Sequence, residues 1–389
     1  MADGALKRRP GETSVRILFD HQIFDSQLYG GVSRYFVELL RHLRATPGTE
    51  AELGAVFSNN AYLPELAPPR PRPFFPGVRS LRKGGHLSWL NRRASLAALR
   101  RDRFDLFHPT YYDPWFLPHL GGRPYVVTVY DMAHERFPEL FAADDPTRAR
   151  KAAVVEGAAR VLAISESTKR DVVEYLGVPA ERVTVVHLAA SRLGGAAAAR
   201  PPGLPERYLL FVGQRGAYKN FQPWVEAIAP LLRQDRALGL VCAGGRPLSG
   251  SELAALERLG IGGQVHHRVG VDDADLGALY RHARLFAFPS RFEGFGIPLL
   301  EAFDCGCPVV ASDRSSLPEV GGDAAAWFDP DDPDSMREVT ASVLGDEARR
   351  RGLVERGQAR AHQFSWARTA AATLASYQDA LADWPAADR

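Results

Sequence analysis

The sequence predicts an α/β protein built from two doubly wound, Rossmann-like domains. Three observations carry that expectation. Short apolar strand runs alternate with helical patterns along the chain, and buried strands alternating with helices make parallel sheets. The runs fall into two sets, divided by a stretch rich in Ala, Gly and Pro that lacks apolar periodicity. A length of 389 residues suits two domains.

In the first set the strands are expected at residues 15–20, 54–58, 106–108, 125–130, 161–164 and 183–187. In the second they are expected at 208–212, 239–243, 265–269, 285–288, 308–311 and 325–328. Helical patterns intervene at 33–45, 165–176 and 276–282, with Ser165 and Asp273 as cap residues. The boundaries that follow are a first domain at 13–189, a linker at 190–205 and a second domain at 206–363. Residues 364–389 form a last helical run. Residues 1–12 are polar and basic with no apolar centre, so they read as a frayed tail and not as a signal peptide.

Composition narrows the class. Charged residues are 24% and hydrophobic residues 46%, the mixture of a globular protein rather than a disordered or membrane-embedded one. No apolar run has the length of a membrane span. The cysteines Cys242, Cys305 and Cys307 make no disulfide framework, which fits a reducing cytoplasm. Cys305-Gly-Cys307 reads as a packed helix end, with no further ligand cluster to make it a metal pair. Net charge is only +2, but residues 68–103 hold ten Lys/Arg against one acid, Asp102. Such local basicity needs a local partner.

The most informative stretch is Glu293-Gly-Phe-Gly-Ile-Pro-Leu-Leu-Glu301, just beyond the expected strand at 285–288. Gly294 and Gly296 leave backbone amides bare on a tight loop, here with Phe295 and Ile297. Pro298 suits a helix's first turn, where its missing N–H costs nothing. A strand, a glycine loop and a helix N-terminus form an anion site from backbone dipoles. Glu293 and Glu301, the latter expected in the first turn, flank that site. Carboxylates beside a phosphate repel it unless they accept hydrogen bonds from hydroxyls. That combination points to a sugar nucleotide. After the strand at 208–212 comes Gly213-Gln-Arg215-Gly-Ala-Tyr-Lys219. Arg215 and Lys219 suit a diphosphate leaving group, whose growing charge two cations would neutralise.

These motifs resemble the retaining nucleotide-sugar glycosyltransferases of family four. The likeness rests on the paired glutamates, on Val-Gly-Gln-Arg215-Gly-Ala-Tyr-Lys219-Asn220, on Ala302 to Ser312 followed by Leu317-Pro-Glu-Val-Gly-Gly322, and on Tyr29-Gly-Gly-Val-Ser-Arg34. They stand in the family's order over nearly the whole chain. The resemblance implies the GT-B architecture, two such domains facing across a cleft, with the helix at 364–389 crossing back to the first. It implies that Glu301 accepts from the ribose, and that Glu293 meets the donor sugar near the reacting face. It places Gly30, Gly31 and Gly213 beside the donor. Asp20, Gln22 and Arg34 follow the first strand and are acceptor candidates, as are His108, Tyr130 and Asp131. Many relatives carry histidine directly before the aspartate that is Asp131 here, and this chain has Tyr130. His134, three residues on, is the candidate to take the donor-sugar role or to bind acceptor.

The implied function is transfer of a hexose from a nucleotide diphosphate sugar, with GDP-mannose as the first donor, to a glycan or lipid-linked acceptor. No metal and no other cofactor is expected; Asp331-Asp332 reads as a turn and cap. A sugar-nucleotide epimerase of the same architecture is the enzyme alternative. Nucleic-acid binding through the basic segment is the remote one, and no recognised nucleic-acid motif accompanies it. The basic segment (Arg70, Arg72, Arg79, Arg82, Lys83, Arg92, Arg93, Arg100, Arg101, Arg103) is expected to include an amphipathic helix. Leu87, Leu90, Ala94, Ala97 and Ala98, beside Trp89, would be its apolar stripe. Such a helix suits peripheral contact with an anionic membrane, here the inner face of the plasma membrane.

Overall fold

A computed structural model describes residues 14–74, 88–191, 193 and 199–385. The expected tail at 1–12 therefore lies outside the described residues, as do part of the linker and Arg79, Arg82, Lys83 and Leu87. The chain forms two compact units, Met1–Leu188 with Trp366–Arg389, and Ala189–Ser365.

Unit 1 runs β1 (Val15–Phe19), α1 (Gln22–Ser26), α2 (Gly31–Ala45), β2 (Thr49–Leu53), α3 (Ser88–Arg100), β3 (Leu106–His108), β4 (Val126–Val129), α4 (Ala133–Arg136), α5 (Thr147–Glu156), β5 (Arg160–Ala163), α6 (Glu166–Leu176) and β6 (Val183–Val185). Unit 2 runs β7 (Arg207–Val212), α7 (Phe221–Gln234), β8 (Leu238–Ala243), α8 (Gly250–Arg258), β9 (Val265–Arg268), α9 (Asp273–His282), β10 (Leu285–Phe288), α10 (Ile297–Asp304), β11 (Val309–Ser312), α11 (Leu317–Gly321), β12 (Ala325–Phe328), α12 (Pro333–Gly345) and α13 (Glu347–Ala361). The last helix, α14 (Trp366–Asp383), packs on α2 and β5 in unit 1.

Every strand pairing is parallel, and helices cover the faces. In unit 1 the order is β2-β1-β3, then β4-β5-β6, stitched by a parallel bridge from Phe107 to Tyr125. In unit 2 it is β12-β11-β10-β7-β8-β9. The core of unit 2 joins α7 residues Phe221, Trp224 and Ile228 to strand residues Leu209, Phe211, Leu240 and Val310. Ser165 caps α6 by accepting from Thr168 N at 3.0 Å. Asp272, not Asp273, caps α9 through Asp275 N at 2.8 Å.

The expected strand at 54–58 is not there; the strand is β2, five residues earlier. Its sequence, Thr-Glu-Ala-Glu-Leu, hides it, because an edge strand can carry charges that a central one cannot. Residues 54–58 serve α3 instead. Val56 N and Phe57 N both donate to Asn91 Oδ1 at 3.0 Å, and Asn91 Nδ2 donates to Phe57 O at 2.7 Å. Ser95 donates to Gly54 O and sits 2.8 Å from His21 Nδ1. So α3 docks through Asn91, Ser95, Ala98 and Leu99; of the described residues of the expected Leu/Ala stripe, Ala98 is buried while Leu90 and Ala94 are half-buried. Ala97 is exposed and Trp89 is 52% exposed.

This docking seam leaves a carboxyl in a poor environment. Asp25 Oδ1 accepts from Asn91 Nδ2 at 2.6 Å, while Oδ2 is buried without a hydrogen-bond partner. Burial pushes Asp25 up to about 7, the Asn91 bond opposes, and the Asp20 charge adds to the rise. A carboxyl whose folded pKa is raised stabilises the fold fully below its unfolded pKa of about 4, and that contribution is lost as pH rises through 7. His21 beside it is lowered by burial, which has the opposite sign. The comparison must therefore be between variants. Asp25→Asn should gain about 2–3 kcal/mol on the wild type between pH 5 and pH 8. Urea unfolding of both proteins at the two pH values measures this; a difference independent of pH would contradict the assignment.

Candidate active site

The chain enters unit 2 at β7, builds outward to β8 and β9, then returns to place β10 on the other side of β7. β7 and β10 are therefore the switch point of this sheet. Ligands of open α/β sheets bind at such a switch point. Here Lys219 spans it: Nζ lies 2.7 and 2.8 Å from the two oxygens of Glu293. Lys219 ends a short 3-10 turn, Ala217–Lys219, and Arg291 N donates to Tyr218 O at 2.8 Å, tying the loops together. The two motifs expected to meet a diphosphate and a sugar are thus in direct contact.

The loop after β10 is held from beneath by serines that sequence reasoning passed over. Glu293 N donates to Ser315 Oγ at 2.9 Å. Ser316 Oγ lies 2.8 Å from Glu293 O and 2.9 Å from Phe295 O. Gly296 has φ +102°, and a Cβ there would stand 2.8 Å from Leu317 Cδ2, so glycine is required. The Gly296 turn exposes the start of α10, with Ile297 at its first position and Pro298 at its second. Glu301 is the fifth helical residue, just past the first turn in which it was expected. Helical side chains lean back toward the N-terminus, which still brings it toward that switch point. It accepts from Tyr280 Oη at 3.2 Å. Burial pushes that phenol well up, and the Glu301 charge adds to it. Phe295 is buried with its ring edge-on to Phe364, so the loop's aromatic is an anchor. Gly213, at φ +120°, donates to Ala243 O at 2.9 Å and turns the β7 loop away.

Arg215 departs from its expected role. Its side chain is 6% exposed, and Nε donates to Glu252 Oε1 at 2.6 Å. The remaining guanidinium nitrogens meet His267 Nε2 at 3.1 Å and Arg246 O at 2.6 Å. Although desolvation pushes Glu252 up, the Arg215 guanidinium and Ser249 hold it down to about 2. Arg215 is a brace between the β7 loop and α8 rather than a cation presented to a ligand.

The unit 1 candidates sort differently. His108 is fully buried: Nδ1 is 2.6 Å from Tyr377 Oη and Nε2 is 3.0 Å from Thr128 Oγ1. Both nitrogens are spent on the core, which corrects the acceptor expectation. Asp20 is also fully buried, accepting from Thr110 N at 2.8 Å, Thr110 Oγ1 at 2.7 Å and Trp115 Nε1 at 3.1 Å. Gln22 donates to Asp20 Oδ2 at 2.7 Å and accepts from Asp113 N at 2.7 Å. Both therefore seal the switch point between β1 and β3 instead of meeting an acceptor. Tyr130 is buried among Tyr35, Phe36, Tyr111 and Tyr112. Arg34 pairs with Glu65 at 2.7 Å and lies over the Tyr62 ring at 3.8 Å, so its charge is already engaged. His134 stacks on Phe141 at 3.8 Å, with Nε2 3.7 Å from Asp145. Asp131 Oδ1 accepts from Ala133 N at 3.0 Å, and the Asp131 carbonyl accepts from Lys151 Nζ at 2.9 Å. Lys151, ion-paired to Glu135 at 2.8 Å in the interior, was not legible as a loop support. Gly30 and Gly31 open α2, and a Cβ on Gly30 would collide with Gln27 Oε1 at 2.3 Å.

Among the described residues no group of three His, Cys, Asp or Glu could hold a metal ion. Asp332 caps α12, and Asp331 pairs with Arg291 at 2.8 Å. Burial pushes the Cys305 thiol up to about 11 and Cys307 higher still, which disfavours the thiolate a metal would need.

Comparison with known proteins adds kinship to this geometry. The family described as glycosyl transferases group 1 matches residues 198–360, and glycosyltransferase family 4 matches residues 29–190. O-antigen chain mannosyltransferase B of Escherichia coli is 29% identical over 374 residues, covering 90% of this chain and 96% of that protein. D-inositol 3-phosphate glycosyltransferase of Salinispora arenicola is 32% identical over 327 residues, covering 75% and 72%. The solved structure of Anabaena Alr3699/HepE in complex with UDP and glucose has a TM-score of 0.68 at 17% identity, covering 94% of this chain and 99% of that one.

Proposed function

The chain belongs to the glycosyltransferases of group 1 and family 4, with the GT-B fold, and from that premise we propose that it is a retaining hexosyltransferase using a nucleoside diphosphate sugar. GDP-mannose is the first donor to test, because the relative named above is a mannosyltransferase of an O-antigen chain. That kinship also favours a polysaccharide or glycolipid acceptor over the epimerase alternative.

The Lys219–Glu293 pair beside the N-terminus of α10 carries this reading. The diphosphate would sit against the helix amides and draw Lys219 off Glu293. Glu293 would then accept from a sugar hydroxyl, and Glu301 from the ribose. The acceptor oxygen attacks the anomeric carbon on the face the phosphate leaves. The anomeric C–O bond breaks with its electron pair going to the phosphate oxygen, which takes the acceptor's proton. Lys219 and the amides neutralise the charge as it grows there, and no divalent ion is needed for it.

Glu301→Ala should weaken nucleoside diphosphate binding, since a charged hydrogen bond is worth about 1.5–3 kcal/mol, roughly 10- to 150-fold. Glu293→Ala should lower turnover more than nucleotide affinity. Calorimetric titration of GDP and UDP with a chelator present, alongside transfer kinetics, separates the two. Equal losses of affinity with turnover of bound donor intact would contradict these roles. An α-linked donor should give an α-linked product by proton NMR of the anomeric signal, and an inverted anomer would exclude retention.

We propose in addition that unit 1 contacts an anionic membrane, at the cytoplasmic face, through the outer side of α3. Arg92, Arg93 and Arg100 are exposed there beside Trp89. Each basic side chain near an anionic leaflet adds about 1 kcal/mol. Among the described residues no helix is long and apolar enough to cross a membrane, so the contact would be peripheral. The protein should sediment with phosphatidylglycerol vesicles at low salt and not with phosphatidylcholine vesicles. Arg92→Glu/Arg93→Glu/Arg100→Glu should stay in solution. Sedimentation of that variant with anionic vesicles like the wild type would sink the assignment.

A further inference from the structure

Tyr111 has no part in the donor chemistry proposed above. It stands three residues beyond β3, and Asp131 stands two residues beyond β4. The two strands are parallel neighbours, bridged from Phe107 to Tyr125, so both residues leave the same end of unit 1. Ligands of open α/β sheets meet the carboxyl ends of strands. The Tyr111 ring lies near-parallel to Tyr130, at 10° and 6.4 Å, and 4.7 Å from Tyr112. Those two rings are buried, while Tyr111 is half-buried. Tyr111 is thus braced by buried neighbours and keeps part of its ring for a ligand, with little freedom left to lose on binding.

The charge around that ring is negative. Asp131 is half-buried, and its peptide is fixed by Lys151, which is itself paired to buried Glu135. Asp131 Oδ1 accepts from Ala133 N, and among the described residues Oδ2 has no hydrogen-bond partner. Neither Asp131 nor Asp145 pairs with a Lys or Arg among the described residues; His134 faces Asp145 at 3.7 Å. Both charges reach the Tyr111 phenol. Burial pushes it up to about 12, the two carboxylates add to the rise, and the hydroxyl stays neutral. Two places in unit 1 that suit a phosphate are filled by the chain's own oxygens. At the N-terminus of α2, Ser33 N donates to Gln27 Oε1 at 3.1 Å. Arg34, one residue on, is paired to Glu65 at 2.7 Å.

A braced ring beside an unpaired carboxylate oxygen suits a ligand with C–H groups on one face and hydroxyls at its edge. The negative face of the ring attracts the C–H hydrogens. A carboxylate accepts strongly from a hydroxyl. A phosphate gains nothing here and meets the repulsion of Asp131 and Asp145. We propose that the carboxyl ends of β3 and β4 select an uncharged saccharide acceptor over a sugar phosphate. The sugar ring lies on Tyr111, one of its hydroxyls donates to Asp131 Oδ2, and Asp145 adds to the exclusion of anions. The choice of a saccharide rests on the transferase reading above; the choice of an uncharged one rests on the charges just described.

The test is a saturation-transfer NMR titration of the full chain at pH 7 without nucleotide. The probes are the methyl α-glycosides of mannose, glucose, galactose and N-acetylglucosamine, the 6-phosphates of the same sugars, and methyl glucosaminide as a cation. At least one uncharged glycoside should bind saturably, about ten-fold more tightly than its 6-phosphate. Tyr111→Ala should weaken that binding about ten-fold, and Tyr111→Phe, which keeps the ring, should retain most of it. Asp131→Asn should narrow the preference over the 6-phosphate by about three-fold. Both Tyr111 variants should unfold cooperatively on heating, as the wild type does, and should bind GDP or UDP as it does. Glycoside binding that depends on Tyr111, in a protein that binds neither nucleotide, would remove the donor reading of unit 2 and leave this one standing. The proposal is overturned by binding of no uncharged glycoside, by equal binding of the 6-phosphates, by tighter binding of the glucosaminide, or by wild-type binding in folded Tyr111→Ala.

Discussion

The adjacency of β7 and β10 governs the candidate site. Two neighbouring parallel strands whose chains leave in opposite directions cannot bond their loops through a regular backbone ladder. A single backbone bond, Arg291 N to Tyr218 O, and side chains do it instead: Lys219 and Glu293, with Ser315 and Ser316 beneath. A partly buried ion pair is worth little net, because desolvation offsets most of the Coulombic gain. A ligand that supplies a phosphate to the lysine and a hydroxyl to the glutamate can therefore replace it at small cost. The Lys219–Glu293 contact is the one the proposed sugar nucleotide would exchange.

Unit 1 solves the identical topological problem in another way. Its switch point lies between β1 and β3, and Asp20 fills it, accepting from Thr110 and Trp115 with Gln22 across the entrance. Five hydrogen bonds reach that carboxylate, and among the described residues no Lys or Arg pairs with it. A fully satisfied buried acid has nothing left to offer a ligand. The two units share an architecture and differ in the chemistry at their switch points.

Apolar patterning made most of the fold legible. The runs at 106–108 and 285–288 coincide with β3 and β10, because strands buried on both faces read as unbroken apolar runs, and the run at 325–328 coincides with β12, an edge strand against which α12 and α13 pack. Edge strand β2 escaped because it alternates charge with apolar residues. In the site, the glutamate pair and its glycine loop were legible since Gly296 and Pro298 are there for backbone reasons that sequence displays. Arg215 and His108 were misread for a different reason. Sequence reveals that a cation or imidazole follows a strand, but not whether it turns outward to a ligand or inward to Glu252 or Tyr377. Ser315 and Ser316 carried no signal at all, since two serines in a loop look like any turn.

The most direct test of this account is a crystal structure with a nucleoside diphosphate hexose. The diphosphate should lie against the Gly296 turn and the first amides of α10. Lys219 Nζ should have left Glu293 for a phosphate oxygen, with Glu301 on the ribose. A nucleotide bound elsewhere, with the Lys219–Glu293 pair still closed at 2.7 Å, would contradict it.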